Sequence, residues 1–396
     1  MARTDLARAD AVERLLDHRS TALDACSSEP VSLDALAGRT LAEGVRAPSA
    51  VPPHDYATMD GFAIATDDES PAVAAEVFPE DEPPELDEGE AARIATGAPL
   101  PVRTDAVLKV EDATVDDERV SGPQLAPGTN VSPRGGTAQA GESLFDAGTR
   151  LAARHAALLS DIGIESVTVH ERFSVGIVAT GTEIHEGRQP DRDSEFLAGL
   201  VREWGHEPTI RESVPDDSGA VRRAIESAAA THDVVLTTGG TSVGSADHVA
   251  TVLEAHDPLF ESVRLQPGRP VLAAVVDGAL VVGLPGKPLA AHTAAVLVAR
   301  SFFTGQRRLP SVTAGLTSTV EIPDDDREYA VPVVLDGNEA IPLGHADSSL
   351  AIYDERFAPG LVAANTRTTT ADGIVLAERS LDAGQPVAVV PYRVLA

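Results

Sequence analysis

Cysteine is almost absent from this chain: Cys26 is the only one in 396 residues. An intrachain disulfide and a cysteine-ligated metal cluster are thereby excluded. Lysine is nearly as rare, with Lys109 and Lys287 the only two, so arginine carries almost every positive side-chain charge. Aromatic residues make up 4% of the sequence, which leaves core packing to Val, Leu, Ile and Ala. No apolar run approaches the roughly 18–20 residues that cross a bilayer. Met1-Ala2-Arg3-Thr4-Asp5 lacks the apolar stretch of a secretory signal. The 11 histidines never fall at zinc-site spacing, and neither Gly-x-Ser-x-Gly nor a P-loop is present. The expectation is a soluble, cytoplasmic protein that is not a zinc enzyme, a serine hydrolase or an ordinary NTPase.

What the chain has in excess is negative charge. Sixty-two acids face 31 arginines and lysines, for a net charge of −31. Such a balance argues against a nucleic-acid backbone or an anionic membrane as partner. The acids are scattered through every segment, so they read as a solvated coat of the kind found in extreme halophiles rather than as one binding surface.

The length suggests several domains. Asp5 to Ser27 has apolar residues at helical spacing, and Ser32 to Thr40 opens with a cap signal. From Ala47 to Val131, Pro and Gly are frequent and strand candidates are brief (Phe62–Ala65, Ala106–Val110, Glu118–Val120), which predicts a small β-rich unit. Leu151–Gly163 reads as a helix ending at glycine. Then strands and helices alternate. Strands are expected over Phe173–Thr180, Pro208–Val214 and His232–Thr238, and helices over Asp193–Trp204, Asp217–Ala230 and Ala246–Ala255. This alternation predicts an α/β fold with a mostly parallel sheet. Pro270–Val276 and Ala279–Gly283 form a hairpin through Asp277-Gly278, and Leu289–Phe303 is a buried helix. After about Leu309 the helices stop, and a C-terminal β domain of about 85 residues follows.

Four segments carry chemistry. Thr237 to Asp247 is a glycine-rich connection between a buried strand and a helix. Gly239, Gly240 and Gly244 permit close backbone approach, Ser242 offers a hydroxyl, and the helix start favours an anion. Asp247 beside that anion makes sense with a cation between them. Thr180-Gly181-Thr182-Glu183 follows the first strand of the α/β region, at the strand edge where open sheets bind ligands. Pro267-Gly268-Arg269-Pro270 and Pro285-Gly286-Lys287-Pro288 are two rigid turns, each presenting a base in a chain with few. Met59-Asp60-Gly61 and Thr96-Gly97-Ala98-Pro99 lie in the β-rich unit.

In this order the segments resemble the MoeA family, molybdopterin molybdotransferases related to the E domain of gephyrin. The family's Met-Asp-Gly is similar to Met59-Asp60-Gly61, and its Thr-Gly-Ala-Pro-Leu-Pro to Thr96–Pro101. The Asp105-Ala106-Val107 and Glu111-Asp112 matches follow. Thr180–Glu183, Gly239–Asp247, Pro267–Pro270 and Leu284–Pro288 match further family segments. The likeness spans nearly the whole chain, loosely at its C-terminal end.

The resemblance implies a homodimer with an elongated helical subdomain (1–48 and 138–170), a β-rich insertion (49–137), a MogA-like α/β domain (171–309) and a C-terminal β-barrel (310–396). It implies insertion of molybdenum from molybdate into adenylylated molybdopterin, with Mg²⁺ and release of AMP. Asp60, Glu183 and Asp247 would be the catalytic, metal-holding carboxylates. Thr96, Gly97, Thr180, Gly181, Gly239, Gly240, Ser242, Gly244, Pro267, Gly268, Arg269, Pro285, Gly286, Lys287 and Pro288 would bind substrate. Partners would be the molybdopterin adenylyltransferase and apo-molybdoenzymes.

The chain departs from the family pattern at Gln266 and Arg269, which stand for lysines, and at Lys287, which stands for asparagine. Ser143 replaces an aspartate, and Asp193 takes the place of an asparagine. These changes leave open a non-catalytic molybdopterin-binding or scaffold protein, and a tungsten-inserting homologue.

Overall fold

The computed structural model describes residues 5–239 and 248–395. Gly240, Ser242, Gly244 and Asp247 of the glycine-rich connection lie outside the described residues. The chain folds as two compact units, one of Met1–Ser28 with His170–Ala396, the other of Glu29–Val169.

Helix α1 (Arg8–Ala25) buries Ala11, Val12, Leu15 and Leu23; of the apolar positions whose spacing predicts the helix, Ala9 is exposed and Leu16 half-buried. This buried face packs in the core cluster that also holds Phe173, Phe302 and Phe303, so α1 belongs to the α/β unit.

In the Glu29–Val169 unit, strands β1 (Gly61–Ile64), β2 (Ala72–Val77), β3 (Glu90–Ile94), β4 (Ala106–Lys109), β5 (Thr114–Asp116) and β6 (Arg119–Ser121) form one sheet in the order β4-β1-β3-β2-β6-β5. The β2–β3 pair is parallel and the remaining pairs are antiparallel. The helix expected over Ser32–Thr40 is only a 3-10 turn at Leu33–Ala35. The N–H groups of Gly38 and Leu41 bond instead to the carbonyls of Leu151 and Thr149, and Gly38 has φ +78°. A tertiary pairing thus takes the donors a helix would need. Helix α2 (His155–Asp161) starts later than expected and ends at Gly163, whose φ of +77° supplies the left-handed terminus.

The α/β unit contains a six-stranded sheet of β7 (Ser174–Ala179), β8 (Glu207–Ile210), β9 (Val234–Thr238), β10 (Asp257–Phe260), β11 (Leu272–Val276) and β12 (Ala279–Leu284), in the order β8-β7-β9-β12-β11-β10. The first four strands in that order run parallel, and the β12–β11–β10 edge is antiparallel. The β11–β12 hairpin turns through Asp277 and Gly278 at φ +49° and +91°, the doubly positive pair of a type I′ turn. One face carries α1, α4 (Ser194–Glu203) and the helix that begins as α7 (Pro288–Ala294), widens through a π-helical segment at Ala295–Ala299 and ends as α8 (Arg300–Thr304). The other face carries α5 (Ser218–Ala229) and α6 (His248–Leu253). The short helix α3 (Thr182–His185) lies in the connection after β7. Valines and leucines fill both layers because the central parallel strands β7, β9 and β12 are covered on both sides, whereas the edge strand β8 is largely exposed.

The C-terminal strands β13 (Val312–Leu316), β14 (Glu328–Asp336), β15 (Glu339–Pro342), β16 (Gly373–Ala377) and β17 (Pro386–Pro391) pair in the order β14-β15-β13-β17-β16. A β14–β16 pairing closes this barrel of five strands. Contrary to the expectation that helices stop after Leu309, helix α9 (Pro359–Ala364) covers one end, with Leu361 exposed and Val362 buried. Pro359-Gly360 reads as a turn in the sequence, but the proline takes the first helical position, where its missing N–H costs nothing.

Candidate functional site

Two groups of motif residues come together, one in each unit. In the β-rich unit, Gly61 opens β1 where its neighbour β4 passes very close. A Cβ at this glycine would stand 2.0 Å from the Leu108 carbonyl oxygen, so no other residue fits without moving the backbone. The preceding residue, Asp60, is exposed. Its Oδ1 accepts the Thr96 N–H at 2.7 Å and the Thr96 hydroxyl at 2.8 Å. These two donors hold the Asp60 carboxyl below its ordinary range, the backbone N–H contributing most. Gly97, at φ +83°, then donates its N–H to the Ala57 carbonyl at 2.8 Å. The Met-Asp-Gly and Thr-Gly-Ala-Pro segments are therefore one structure that presents an ionised carboxylate. At the far end of β1 a cavity of about 360 Å³ is lined by Ile64, Asp67, Leu108 and Gln124, and contains none of the motif residues.

In the α/β unit the motif residues gather at the carboxyl edge of β7, β9 and β12. Thr180 is 4% exposed, and both its N–H and its hydroxyl donate to the Thr238 carbonyl, at 2.9 and 3.0 Å. Gly239 follows at φ +81°, and a Cβ there would lie 2.6 Å from the Thr180 carbonyl oxygen. A Cβ on Gly286 would lie 3.1 Å from the Gly239 Cα. The three strand ends thus pack backbone against backbone, which is what glycine permits and a side chain would prevent. Gly181 has φ +147°, and the Glu183 carboxylate lies over it, one oxygen 3.4 Å from an added Cβ. Pro285 is buried beside this cluster, and Pro288 opens α7.

Asp216 escaped the sequence reading. Its carboxylate accepts the Thr182 N–H at 3.1 Å while the Thr182 hydroxyl accepts the Asp216 N–H at 3.0 Å. In Val214-Pro215-Asp216-Asp217 both acids look like helix-start residues, but only Asp217 caps α5, through the Ala220 N–H at 2.8 Å. Two aspartates before a helix that needs one cap was the available signal.

The two bases have partners. Arg269 pairs with Asp5, Nη2 to Oδ2 at 2.8 Å and Nε to the same oxygen at 2.9 Å. The guanidinium expected to meet an oxyanion is thus held by a carboxylate, although 43% of its side chain is exposed. Pro267 and Gly268 shape that turn, where Gly268 has φ +123°. Lys287 is exposed immediately before α7, with Nζ 3.4 Å from the Gly360 carbonyl oxygen of α9. Ser143 begins a short strand paired with Val45–Arg46, and Gln266 pairs with Tyr329 beside the barrel.

Among the described residues no three His, Cys, Asp or Glu side chains are gathered as for a metal ion. Of the three expected metal-holding residues, Asp60 and Glu183 belong to different units, and Asp247 lies outside the described residues. The donors themselves suit a hard, oxygen-seeking cation: Asp60 is kept ionised, and its Oδ1 alone is taken by Thr96. No helix of the described residues is long and apolar enough to cross a membrane.

Known proteins resemble this chain over most of its length. Residues 6–163 match the MoeA N-terminal region (domain I and II), and residues 176–304 match a probable molybdopterin binding domain. The chain is 30% identical over 283 residues to a molybdopterin molybdenumtransferase of Haemophilus influenzae, covering 67% of this chain and 69% of that one. It is 30% identical over 292 residues to the protein of the same name from Bacillus subtilis, covering 67% of each. A crystal structure of the molybdopterin biosynthesis MoeA protein from Pyrococcus horikoshii superposes with a TM-score of 0.69 at 28% identity, over 98% of this chain and 99% of that one.

Proposed function

Because the chain belongs to the MoeA family of molybdopterin molybdenumtransferases, we propose that it inserts molybdenum from molybdate into adenylylated molybdopterin and releases AMP. Its place in molybdenum cofactor biosynthesis follows from that membership. The observation that carries the finer reading is the contact of Thr180, Gly239 and Gly286 at the carboxyl edge, with Glu183 folded over Gly181. An edge packed this closely brings peptide groups to a ligand without intervening side chains, which suits the phosphates and molybdate.

Asp60, Glu183 and Asp247 are the residues that would hold Mg²⁺, which when bound supplies positive charge to anionic substrates inside an acidic protein. The chain's own residues do the rest. Thr96 gives the Asp60 carboxylate two donors, which fix its Oδ1 and hold the carboxyl below its ordinary range. Gly181 leaves room for the Glu183 side chain, and Asp216 fixes the Thr182–Glu183 turn. Lys287 brings a positive charge to the start of α7. We further infer a homodimer of four-subdomain chains that works with the adenylyltransferase and apo-molybdoenzymes in high salt, where its acidic coat is adapted.

The test is direct. Purified full chain in molar salt, given adenylylated molybdopterin, molybdate and Mg²⁺, releases AMP and yields cofactor that activates an apo-molybdoenzyme. Absence of AMP release from folded protein overturns the proposal. A second reading, a molybdopterin-binding protein without turnover, is favoured by the Arg269–Asp5 pair, which engages the base expected at the oxyanion. Molybdopterin binding that survives Asp247→Ala, with no AMP released by either protein, would support it. Tungstate supplied in place of molybdate distinguishes the two oxyanions.

A further inference from the structure

One buried acid is used neither as a cap nor in an ion pair among the described residues. Asp193 immediately precedes α4 and is 7% exposed, yet its Oδ1 has no hydrogen-bond partner among the described residues. The usual explanation for an aspartate at a helix start is capping. Here that task belongs to Asp191, whose Oδ1 accepts the N–H groups of Asp193 at 3.0 Å and Ser194 at 3.1 Å. Ser194 is 2% exposed, and its hydroxyl likewise has no partner among the described residues. Two adjacent buried side chains, each with a polar atom unpartnered among the described residues, carry a desolvation cost.

Their position ties them to the ligand edge. The connection from β7 to α4 runs through Thr180, Gly181 and Glu183, so α4 begins on the carboxyl side of the parallel strands. Phe196, in the first turn of α4, meets His292 of α7 with ring centroids 6.1 Å apart. Helix α7 itself starts at Pro288, just after Gly286 touches Gly239. Helices α4 and α7 therefore pack beside one another, and both begin at this edge.

We propose that Asp193 and Ser194 form the subsite for the amino-and-amide edge of a 2-amino-4-oxopyrimidine ring, the edge a pterin presents; this rests on the molybdopterin reading above. A carboxylate offers two acceptor oxygens to the adjacent N–H donors of such an edge, as it does to a guanidinium. Ser194 adds a hydroxyl for a neighbouring heteroatom. Burial already pushes the Asp193 carboxyl up, with Asp191 adding to the rise and Arg192 opposing it. A ligand bringing two N–H donors would satisfy the carboxylate and offset part of that cost. An asparagine here, as in the family pattern, offers one acceptor instead of two.

The test uses two fluorescent probes that differ at this edge: 6-hydroxymethylpterin, and its lumazine analogue with a carbonyl in place of the amino group. The wild-type chain should bind the pterin about tenfold or more tighter, because the lumazine sets an oxygen against the carboxylate. Asp193→Asn, of nearly the same size, should reduce that preference to about threefold or less while the circular dichroism of the folded protein is kept. Ser194→Ala should weaken both probes and retain the preference. Equal binding of the two probes by wild type, or a preference unchanged in Asp193→Asn, overturns the subsite. AMP release accompanied by an unchanged preference removes the subsite and leaves the transferase reading standing. A preference lost in Asp193→Asn, without AMP release from wild type, does the reverse.

Discussion

Asp60 in the β-rich unit and Asp193 in the α/β unit are driven in opposite directions. Asp60 is exposed, yet Thr96 supplies two donors to one oxygen and its carboxyl lies below the usual range. Asp193 is buried, has an oxygen without a partner among the described residues, and its carboxyl is pushed up to about 6, first by burial and then by Asp191. The contrast teaches that depth and donors act together on the pKa of a carboxylate: burial raises it, and hydrogen-bond donors lower it. Exposure with donors favours the charged form, and burial with few donors disfavours it.

The largest effect should come from the frame that places Asp60. Gly61→Ala puts a methyl 2.0 Å from the Leu108 oxygen, and it should cost about 4 kcal/mol or more because two strands must separate. A thermal melt in molar salt would show it, and a variant melting with the wild type would mean that the close approach is not needed.

The next effect separates the two acids by pH. Asp193 titrates near 3.8 in the unfolded chain and near 6 in the folded one. Below pH 3.8 both states hold the proton and nothing is lost. As pH rises from there to about 6 the unfolded chain releases its proton first, so stability falls. Asp193→Asn should therefore be more stable than wild type by on the order of 2 kcal/mol at pH 7, with the gain vanishing below about pH 4. Melting temperatures across that range check the sign, and a gain independent of pH would show that titration is not its source.

A smaller effect is expected on the Asp60 side. Thr96→Val removes the hydroxyl donor but keeps the N–H, so the Asp60 carboxyl should move up toward its ordinary range. The acid limb of AMP release should move to higher pH, with less than about tenfold loss at pH 7, where the carboxylate stays ionised. An unmoved limb would detach Asp60 from that limb. Smallest of all is Asp5→Asn, which weakens the hold on Arg269. For a half-exposed pair the change is about 0.2–1 kcal/mol, so molybdate should bind up to about fivefold tighter at low salt. Weaker binding would show that the pair itself shapes the site.

Much of the α/β unit was legible because its signals are local. The strands over Ser174–Ala179 and Val234–Thr238 are short, mostly apolar runs, and the helices after them have their own periodicity. The Ser32–Thr40 segment misled because its cap signal is local, whereas its hydrogen bonds go to residues more than a hundred positions away. Helix α9 was missed because Pro-Gly is as good a turn as a helix start. Nothing local separates Asp216 from Asp217; only its exchange with Thr182, 34 positions away, does.

The sequence by itself determined the alternation that makes an α/β fold, the acidic surface, and the glycine and proline turns whose order marks the family. Each is written in neighbouring residues. Tertiary structure alone decided that Thr96 donates to Asp60 from 36 positions away, that Gly239 and Gly286 touch, and that the Asp193 Oδ1 is buried with no partner among the described residues. Contacts and desolvation depend on which distant segments meet, and no local pattern carries that information.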